Sequence, residues 1–487
     1  MQTIFWTLLS LVVSTSSAAV LEPLKLPKTT EGIFFAKGIP YAAAPVGTRR
    51  WKPPIDVEFD ANALGKMSFS PSCMPHEQNP WDTLYGDEIS EDCLFLNIWT
   101  PSPQKKFPVM VWIHGGAFKN GNGNIAGDLL AQHDVVVVSL NYRLGLLGFF
   151  PHHKLIGQDT NFGFLDQISA LRWVKANIQK FGGDPDNITI FGNSAGAFSV
   201  DALTNHPSAV GLFNRAIAQS TYIAQSVHLW SSLAQLRTND LYGNPRASAQ
   251  AKLRSDLTHI GLHGDESIRQ LRAIEPEFFV ANQREIHPTI NNISLRADHF
   301  RCVRDPNCGS KLDSYMTGAT SYEGNDMDRY IKPNMAWYES QRETLAAVYQ
   351  NDFSINDNVA FGRFTGDLWF LLSAELSASA HREAGSTVYT YYTDAALLEK
   401  YGRQLGTPHG WDNNGLWRKP TDGILKLLQS HYHENWSRFA HGKALVGNGQ
   451  WPSWKKGAPY WQILGRKGGD ASARLAPRLK LADSYYR

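Results

Sequence analysis

Ser194 stands in the run Gly192-Asn193-Ser194-Ala195-Gly196. A serine hydroxyl attacks an acyl carbon once a base takes its proton, and the oxyanion that forms needs donors already in place. A serine on a tight turn between a strand and a helix is pushed outward above a sheet, and glycines at both flanking positions avoid collisions there. Ile188–Phe191 reads as the strand leading in, and a helical pattern through Val200 and Leu203 leads out. The N–H of Ala195, at the start of that helix, is then an expected oxyanion donor. Taken alone, the run is equally an ordinary glycine turn. A second element, His114-Gly115-Gly116-Ala117, follows the predicted strand Val109–Ile113. The N–H groups of Gly115 and Gly116 are expected to approach a substrate carbonyl there. Both elements fall at the carboxyl ends of predicted parallel strands, where open α/β sheets place their ligands, and together they point to acyl transfer.

The elements that must position these residues lie mainly between residues 95 and 220, where short β-branched apolar runs alternate with helical patterns, as in a parallel sheet. Val109–Ile113 and Val135–Leu140 read as buried strands. Phe164 to Phe181 carries apolar residues at helical spacing until Gly182-Gly183-Asp184-Pro185 stops it. Tyr222 to Met316 is mostly polar and helical in pattern, with Ser248–Ile260 and Glu266–Ile274 as the clearest helices, and is expected to be a helical insertion. Val388–Tyr392 resumes a strand, and Gly406–Gly415 reads as a turn-rich loop. No linker divides the chain, so residues 20–487 are expected to form one domain.

Several longer blocks carry a resemblance. Phe181-Gly182-Gly183, four residues, and then Ile188 through Gly196 is similar to the serine signature of the type-B carboxylesterase family, which includes cholinesterases and lipases. Glu91-Asp92-Cys93-Leu94-Phe95-Leu96-Asn97-Ile98-Trp99 resembles the family's second signature. Gly38-Ile39-Pro40-Tyr41-Ala42, Asn141 to Gly145 and Asn161 to Gln167 are also similar to family blocks. The resemblance is densest from Gly38 to Ser220. It implies an α/β-hydrolase fold, a large, mostly parallel central sheet flanked by helices with helical insertions, and hydrolysis of a small-molecule ester. It also implies that Cys73–Cys93 closes a loop near a gorge, and that Arg50 with Glu91, and Arg143 with Asp166, are structural ion pairs.

In that fold the chain order is serine, acid, histidine, so the base lies beyond Ser194. Eleven histidines qualify. Loop placement favours His409, whereas His431 and His433 lie in a helical pattern. The family's catalytic histidine is followed by glycine and soon by an acidic residue, which His409, Gly410 and Asp412 reproduce. For the acid, residue type alone leaves Asp313, Asp326, Asp328 and Glu323 equal. Gly318 through Gly324 resembles the family segment that ends in a catalytic glutamate and a glycine, which implies Glu323. The implied catalytic set is Ser194, Glu323 and His409.

Composition removes other classes. Forty-seven basic against forty-five acidic residues give a net charge of +2, with no dense Lys/Arg block, so nucleic acid is not expected as a partner. The apolar run Ile4–Val13, followed by small residues to Ala19, reads as a signal peptide over 1–19 and predicts secretion. No later stretch is apolar enough to predict a membrane span. In an oxidising compartment the four cysteines suggest two disulfides; three connectivities are open, and proximity favours Cys73–Cys93 and Cys302–Cys308. The spacings do not suit zinc, and neither metal nor cofactor is expected. Glycosylation acceptor sequences stand at Asn187, Asn292 and Asn435.

Asn193 is neutral where the family commonly has glutamate, and Trp81 falls outside the choline-binding register, so cholinesterase activity is not expected. The substrate implied is a neutral, fairly apolar ester. Thr221 stands where glycine is usual. A lipase acting at interfaces and a non-catalytic adhesion protein on the same fold are the alternative readings; the retained serine, acid and histidine argue against the second.

Overall fold

The computed structural model describes residues 24–486 except 62–63, 65, 75–87, 156, 226–247, 283–287, 328–330, 396–397, 401–402, 448 and 466–467. The expected export segment 1–19, Trp81, Asp328 and most of the loop between Cys73 and Cys93 lie outside the described residues.

A ten-stranded sheet organises the chain. Its strands are β1 (Phe34–Pro40), β2 (Phe95–Thr100), β3 (Phe107–Ile113), β4 (Val136–Leu140), β5 (Gly183–Asn193), β6 (Arg215–Gln219), β7 (Ser314–Thr320), β8 (Thr387–Asp394), β9 (Trp461–Gly465) and β10 (Gly469–Asp470). They lie in the order β1-β2-β4-β3-β5-β6-β7-β8-β9-β10. From β4 to β9 every neighbouring pair is parallel. The pairs β1/β2, β2/β4 and β9/β10 are antiparallel. Strands covered on both faces have no polar face to show, and β4 is accordingly buried at every position. Burying one such valine or isoleucine side chain contributes about 1.5–3 kcal/mol.

The helices that matter to the site are α1 (Phe162–Asn177), α2 (Ala195–Thr204), α3 (Asp357–Gly366), α4 (Leu372–Glu383), α5 (Trp411–Trp417) and α6 (Gly423–Ala440). A π-helical turn, Asp367–Leu371, joins α3 to α4. The two expected disulfides both form, with Cα atoms 4.9 Å apart for Cys73–Cys93 and 5.2 Å for Cys302–Cys308. Both implied ion pairs form as well. Arg50 reaches Glu91 through Nε and Nη2 at 2.5 and 2.8 Å, and Arg143 reaches Asp166 through Nε and Nη2 at 2.8 and 2.7 Å. Each is bidentate and buried, the geometry that best offsets desolvation.

Three sequence expectations need correction. Gly183-Asp184-Pro185 ends the preceding helical segment but also opens β5, because Gly183 pairs with Phe107 of β3. The helical insertion holds helices at Ala249–His259, Ile268–Arg272, Pro276–Asn282 and His299–Arg304, yet its last residues, Ser314 to Met316, belong to the central strand β7. Few apolar residues mark that strand, since the Thr317 hydroxyl is satisfied by the Ala218 carbonyl at 2.9 Å. Gly406–Gly415 is not all loop. It contains the first turn of α5, which starts after Gly410 in the left-handed region at φ 77°.

Candidate active site

Five connections leave the carboxyl ends of β3, β5, β6, β7 and β8 on one edge of the sheet, and each brings one part of the site. The turn after β5 holds Ser194 at φ 57°, ψ −119°, a conformation a non-glycine residue adopts only under constraint. The constraint is close packing. A Cβ on Gly192 would lie 2.6 Å from the Gly196 carbonyl carbon, and one on Gly196 would lie 2.0 Å from the Ile113 carbonyl oxygen. Only glycine at both places lets the turn close over β3. The Ser194 N–H donates to the Gln219 carbonyl at 2.9 Å, which locks the turn to β6. Ala195 opens α2 and is fully buried.

The turn after β3 lies against the serine. A Cβ on Gly115 would come within 2.7 Å of the Asn193 carbonyl oxygen and 3.3 Å of the Ser194 Cβ. The Gly116 carbonyl accepts from the N–H groups of Lys119 and Asn120, both at 3.0 Å. In a trans peptide the following N–H points opposite its carbonyl, so the Ala117 N–H is turned out of this tight turn. Gly116 has φ 104° and Ala117 φ 53°, the successive left-handed conformations that hold this shape. The sequence expectation named the N–H groups of Gly115 and Gly116 here and not that of Ala117, because it counted glycines rather than peptide planes. Beneath the turn, His114 stacks on Tyr142 at 4.3 Å, and burial lowers its pKa to about 4, so it is neutral at pH 7.

Glu323 follows β7, and His409 lies in the connection that follows β8. His409 Nδ1 sits 2.5 Å from Glu323 Oε2. The other carboxylate oxygen accepts from the Ser220 hydroxyl and the Thr320 N–H, both at 2.6 Å. The two loops are tied by Tyr322 N–H to the Thr407 carbonyl at 2.9 Å and by Thr407 N–H to the Ser321 hydroxyl at 2.8 Å. Asn325 Oδ1 accepts the His409 N–H at 2.7 Å. On its other side the His409 ring meets Phe370, from the π-helical turn, with centroids 4.5 Å apart. Phe370 continues through Tyr222 at 5.7 Å to Phe198 on α2, a wall of aromatic rings. Of the four acids that residue type left equal, Glu323 is the one seen against His409. Asp313 is instead 3.7 Å from Arg215, and Asp328 is outside the described residues.

Ser220, Asn325 and Phe370 were not singled out from the sequence, since nothing in their types marks them. Asp412, noted only as an acidic residue after the histidine, is fully buried. Its carboxylate accepts from Asn193 Nδ2 at 3.0 Å and Gln219 Nε2 at 2.9 Å. Burial, and to a lesser degree the charge of Glu323, pushes its pKa up to about 6. Among the described residues no group of three or more His, Cys, Asp or Glu side chains is arranged to hold a metal, and no helix is long and apolar enough to cross a membrane.

Comparison with known proteins bears directly on this geometry. The pattern that defines the Carboxylesterase family matches residues 24–463. Liver carboxylesterase 1F of Rattus norvegicus is 40% identical over 96% of this chain and 92% of its own length. Fumonisin B1 esterase of Sphingopyxis macrogoltabida is 37% identical over 68% of this chain and 66% of its own. Among solved structures, a carboxylesterase of Geobacillus stearothermophilus superposes with a TM-score of 0.73 at 28% identity, covering 94% of this chain and 97% of the other. A thermophilic p-nitrobenzyl esterase gives 0.72 at 26% identity, covering 93% and 97%. The match spans nearly the whole chain, and the solved neighbours share its α/β-hydrolase fold: the chain belongs to the carboxylesterase family and is a carboxylic ester hydrolase.

Proposed function

We propose that the protein is a secreted serine esterase that forms an acyl-enzyme on Ser194, with His409 as base and Glu323 as the acid that orients it. The observation that carries this reading is the 2.5 Å contact between His409 and Glu323 beside a serine on a strained strand-to-helix turn. His409 takes the Ser194 proton as the hydroxyl attacks the ester carbonyl, and returns it to the leaving alcohol. Glu323 fixes the imidazole tautomer with Nδ1–H toward the carboxylate and stabilises the imidazolium. N–H groups of Gly115, Gly116, Ala117 and Ala195 stabilise the oxyanion. Water then enters by the same route in reverse and releases the acid.

The substrate is a neutral, fairly apolar ester, a reading supported by the wall of Phe198, Tyr222 and Phe370 beside His409. Residues 20–487 act as one domain, since the sheet draws its strands from Phe34 through Asp470. Two disulfides agree with export.

The test is hydrolysis of p-nitrophenyl esters of increasing acyl length by the purified protein beside Ser194→Ala. Turnover that vanishes in the variant, with a defined preference for chain length, is expected. Activity that rises only when the ester is dispersed as droplets would make the protein a lipase. Turnover surviving in Ser194→Ala would overturn the nucleophile assignment.

A further inference from the structure

Asp412 is an acid buried where no Lys or Arg pairs with it among the described residues. A carboxylate out of water is costly unless charge or hydrogen bonds replace its hydration. Here neutral amides do so, and neighbours fix which way each amide faces. Gln219 Oε1 accepts from Trp436 Nε1 at 3.2 Å, which leaves Nε2 for Asp412 at 2.9 Å. Asn193 Oδ1 accepts from Asn413 Nδ2 at 3.2 Å, which leaves Nδ2 for Asp412 at 3.0 Å. Asn193 precedes Ser194, and Asp412 follows His409 by three residues on the first turn of α5. Two hydrogen bonds of Asn193, one donated to Asp412 and one accepted from Asn413, therefore join the nucleophile's turn to the histidine's loop.

We propose that Asp412 is a positioning residue that ties the turn of Ser194 to the loop of His409 through Asn193, and that Asn193 is an amide so that this enclosed space holds a single carboxylate. The inference rests on the roles proposed above for Ser194 and His409. Two carboxylates about 3 Å apart cannot both ionise, so an acid at position 193 would force a shared proton into the space behind the triad. With an amide there, one negative charge stands behind His409 in addition to Glu323 and favours the imidazolium formed during acyl transfer. The titratable groups around Asp412 are His409 on its own connection, Glu323 after β7, Tyr391 on β8 and Tyr432 on α6. His433 of α6 also reaches α5, but its Nε2 bonds the Leu416 carbonyl at 2.9 Å and burial keeps it neutral.

Two variants test this. Asp412→Asn keeps the shape but turns an amide donor toward either Asn193 or Gln219 and removes the charge. We expect kcat about tenfold lower with KM within about twofold, and the acid limb of the kcat/KM profile moved down by roughly half a pH unit to one unit. A merely structural role would leave that limb in place, and an unmoved limb with unchanged kcat overturns the proposal. Asn193→Asp needs no activity to be read. Its melting temperature is expected to fall relative to the parent as pH rises from 5 to 9, because the folded pair of acids keeps a proton that the unfolded chain releases. A difference that stays constant with pH overturns the single-carboxylate assignment. If the parent itself shows no Ser194-dependent turnover, the functional reading fails while this melting result still stands or falls alone.

Discussion

Ser220 and His409 hold opposite oxygens of one carboxylate: the Ser220 hydroxyl donates to Glu323 Oε1 at 2.6 Å, and His409 Nδ1 lies 2.5 Å from Oε2. Oε1 also takes the Thr320 N–H, so the carboxyl plane has no freedom to turn away from the imidazole. Ser220 reaches this position at φ 54°, a strained conformation supported by its own N–H donating to the Gly318 carbonyl at 2.8 Å.

Ser220→Ala should therefore lower kcat while sparing KM. A hydrogen bond to a charged group is worth about 1.5–3 kcal/mol, of which the Thr320 donor retains part, so a fall of roughly tenfold is expected. Glu323→Gln should cost far more, on the order of 10³ to 10⁴ in kcat, because an amide can hold the wrong imidazole tautomer. Steady-state kinetics on one p-nitrophenyl ester check both. Equal losses in the two variants would mean that Ser220 does more than hold Glu323.

Much of this arrangement is legible in the sequence because strand, turn and glycine are local. The run Gly192 to Gly196 needs its glycines for contacts within a few ångströms, and β3, β4 and β5 are marked by β-branched runs. The partners of Glu323 and Asp412 are not local. Ser220 is 103 residues from Glu323, and Asn193 is 219 residues from Asp412. Those pairs exist because β5, β6, β7 and β8 lie side by side in the sheet, which residue types alone do not reveal. β7 was blurred for a related reason: a strand between two parallel neighbours can carry Thr and Gly, as where the Thr317 hydroxyl finds the Ala218 carbonyl.

Phe370 packs on the face of His409 from a π-helical turn, where one extra residue widens the helix at a functional site. The turn is anchored from behind by Asp367, which pairs with Arg478 and accepts the Tyr349 hydroxyl at 2.7 Å. Phe370→Leu keeps an apolar side chain but removes the ring-to-ring contact, which is tilted by 35°. A kcat reduced about three- to tenfold is expected, with a relative gain for longer acyl groups in the p-nitrophenyl series. An unchanged rate and chain-length preference would remove Phe370 from the site.

Thr221, where the family has glycine, donates to a second buried acid. Its hydroxyl lies 2.6 Å from Asp201 Oδ2, and the Tyr315 hydroxyl lies 2.7 Å from Oδ1. Burial raises the Asp201 pKa to about 7 from an ordinary 3.8. Between those values the native state holds a proton that the unfolded chain has released, so stability falls as pH rises from about 4 to about 7. Asp201→Asn should flatten that slope and raise the melting temperature at pH 8 relative to the parent. Thermal melts at pH 5 and pH 8 decide it; parallel curves for parent and variant would sink the idea.

The three acceptor sequences for N-glycosylation are separated by burial. Asn435 of α6 is fully buried, with Nδ2 donating to the His431 carbonyl at 3.0 Å and Oδ1 accepting the Val446 N–H at 2.8 Å. A glycan on that nitrogen would require space that the core lacks, so a chain modified there could not fold. Asn187 is half-buried at the base of β5, with its side-chain oxygen held by Arg215. Asn292 is exposed on a left-handed turn at φ 57°, where only its side-chain oxygen is committed, accepting the Ala297 N–H at 3.1 Å. Expression through a eukaryotic secretory pathway, followed by mass spectrometry of glycopeptides from the active fraction, should find Asn292 occupied and Asn435 bare. A glycan on Asn435 in active protein would contradict the packing of α6 against the sheet.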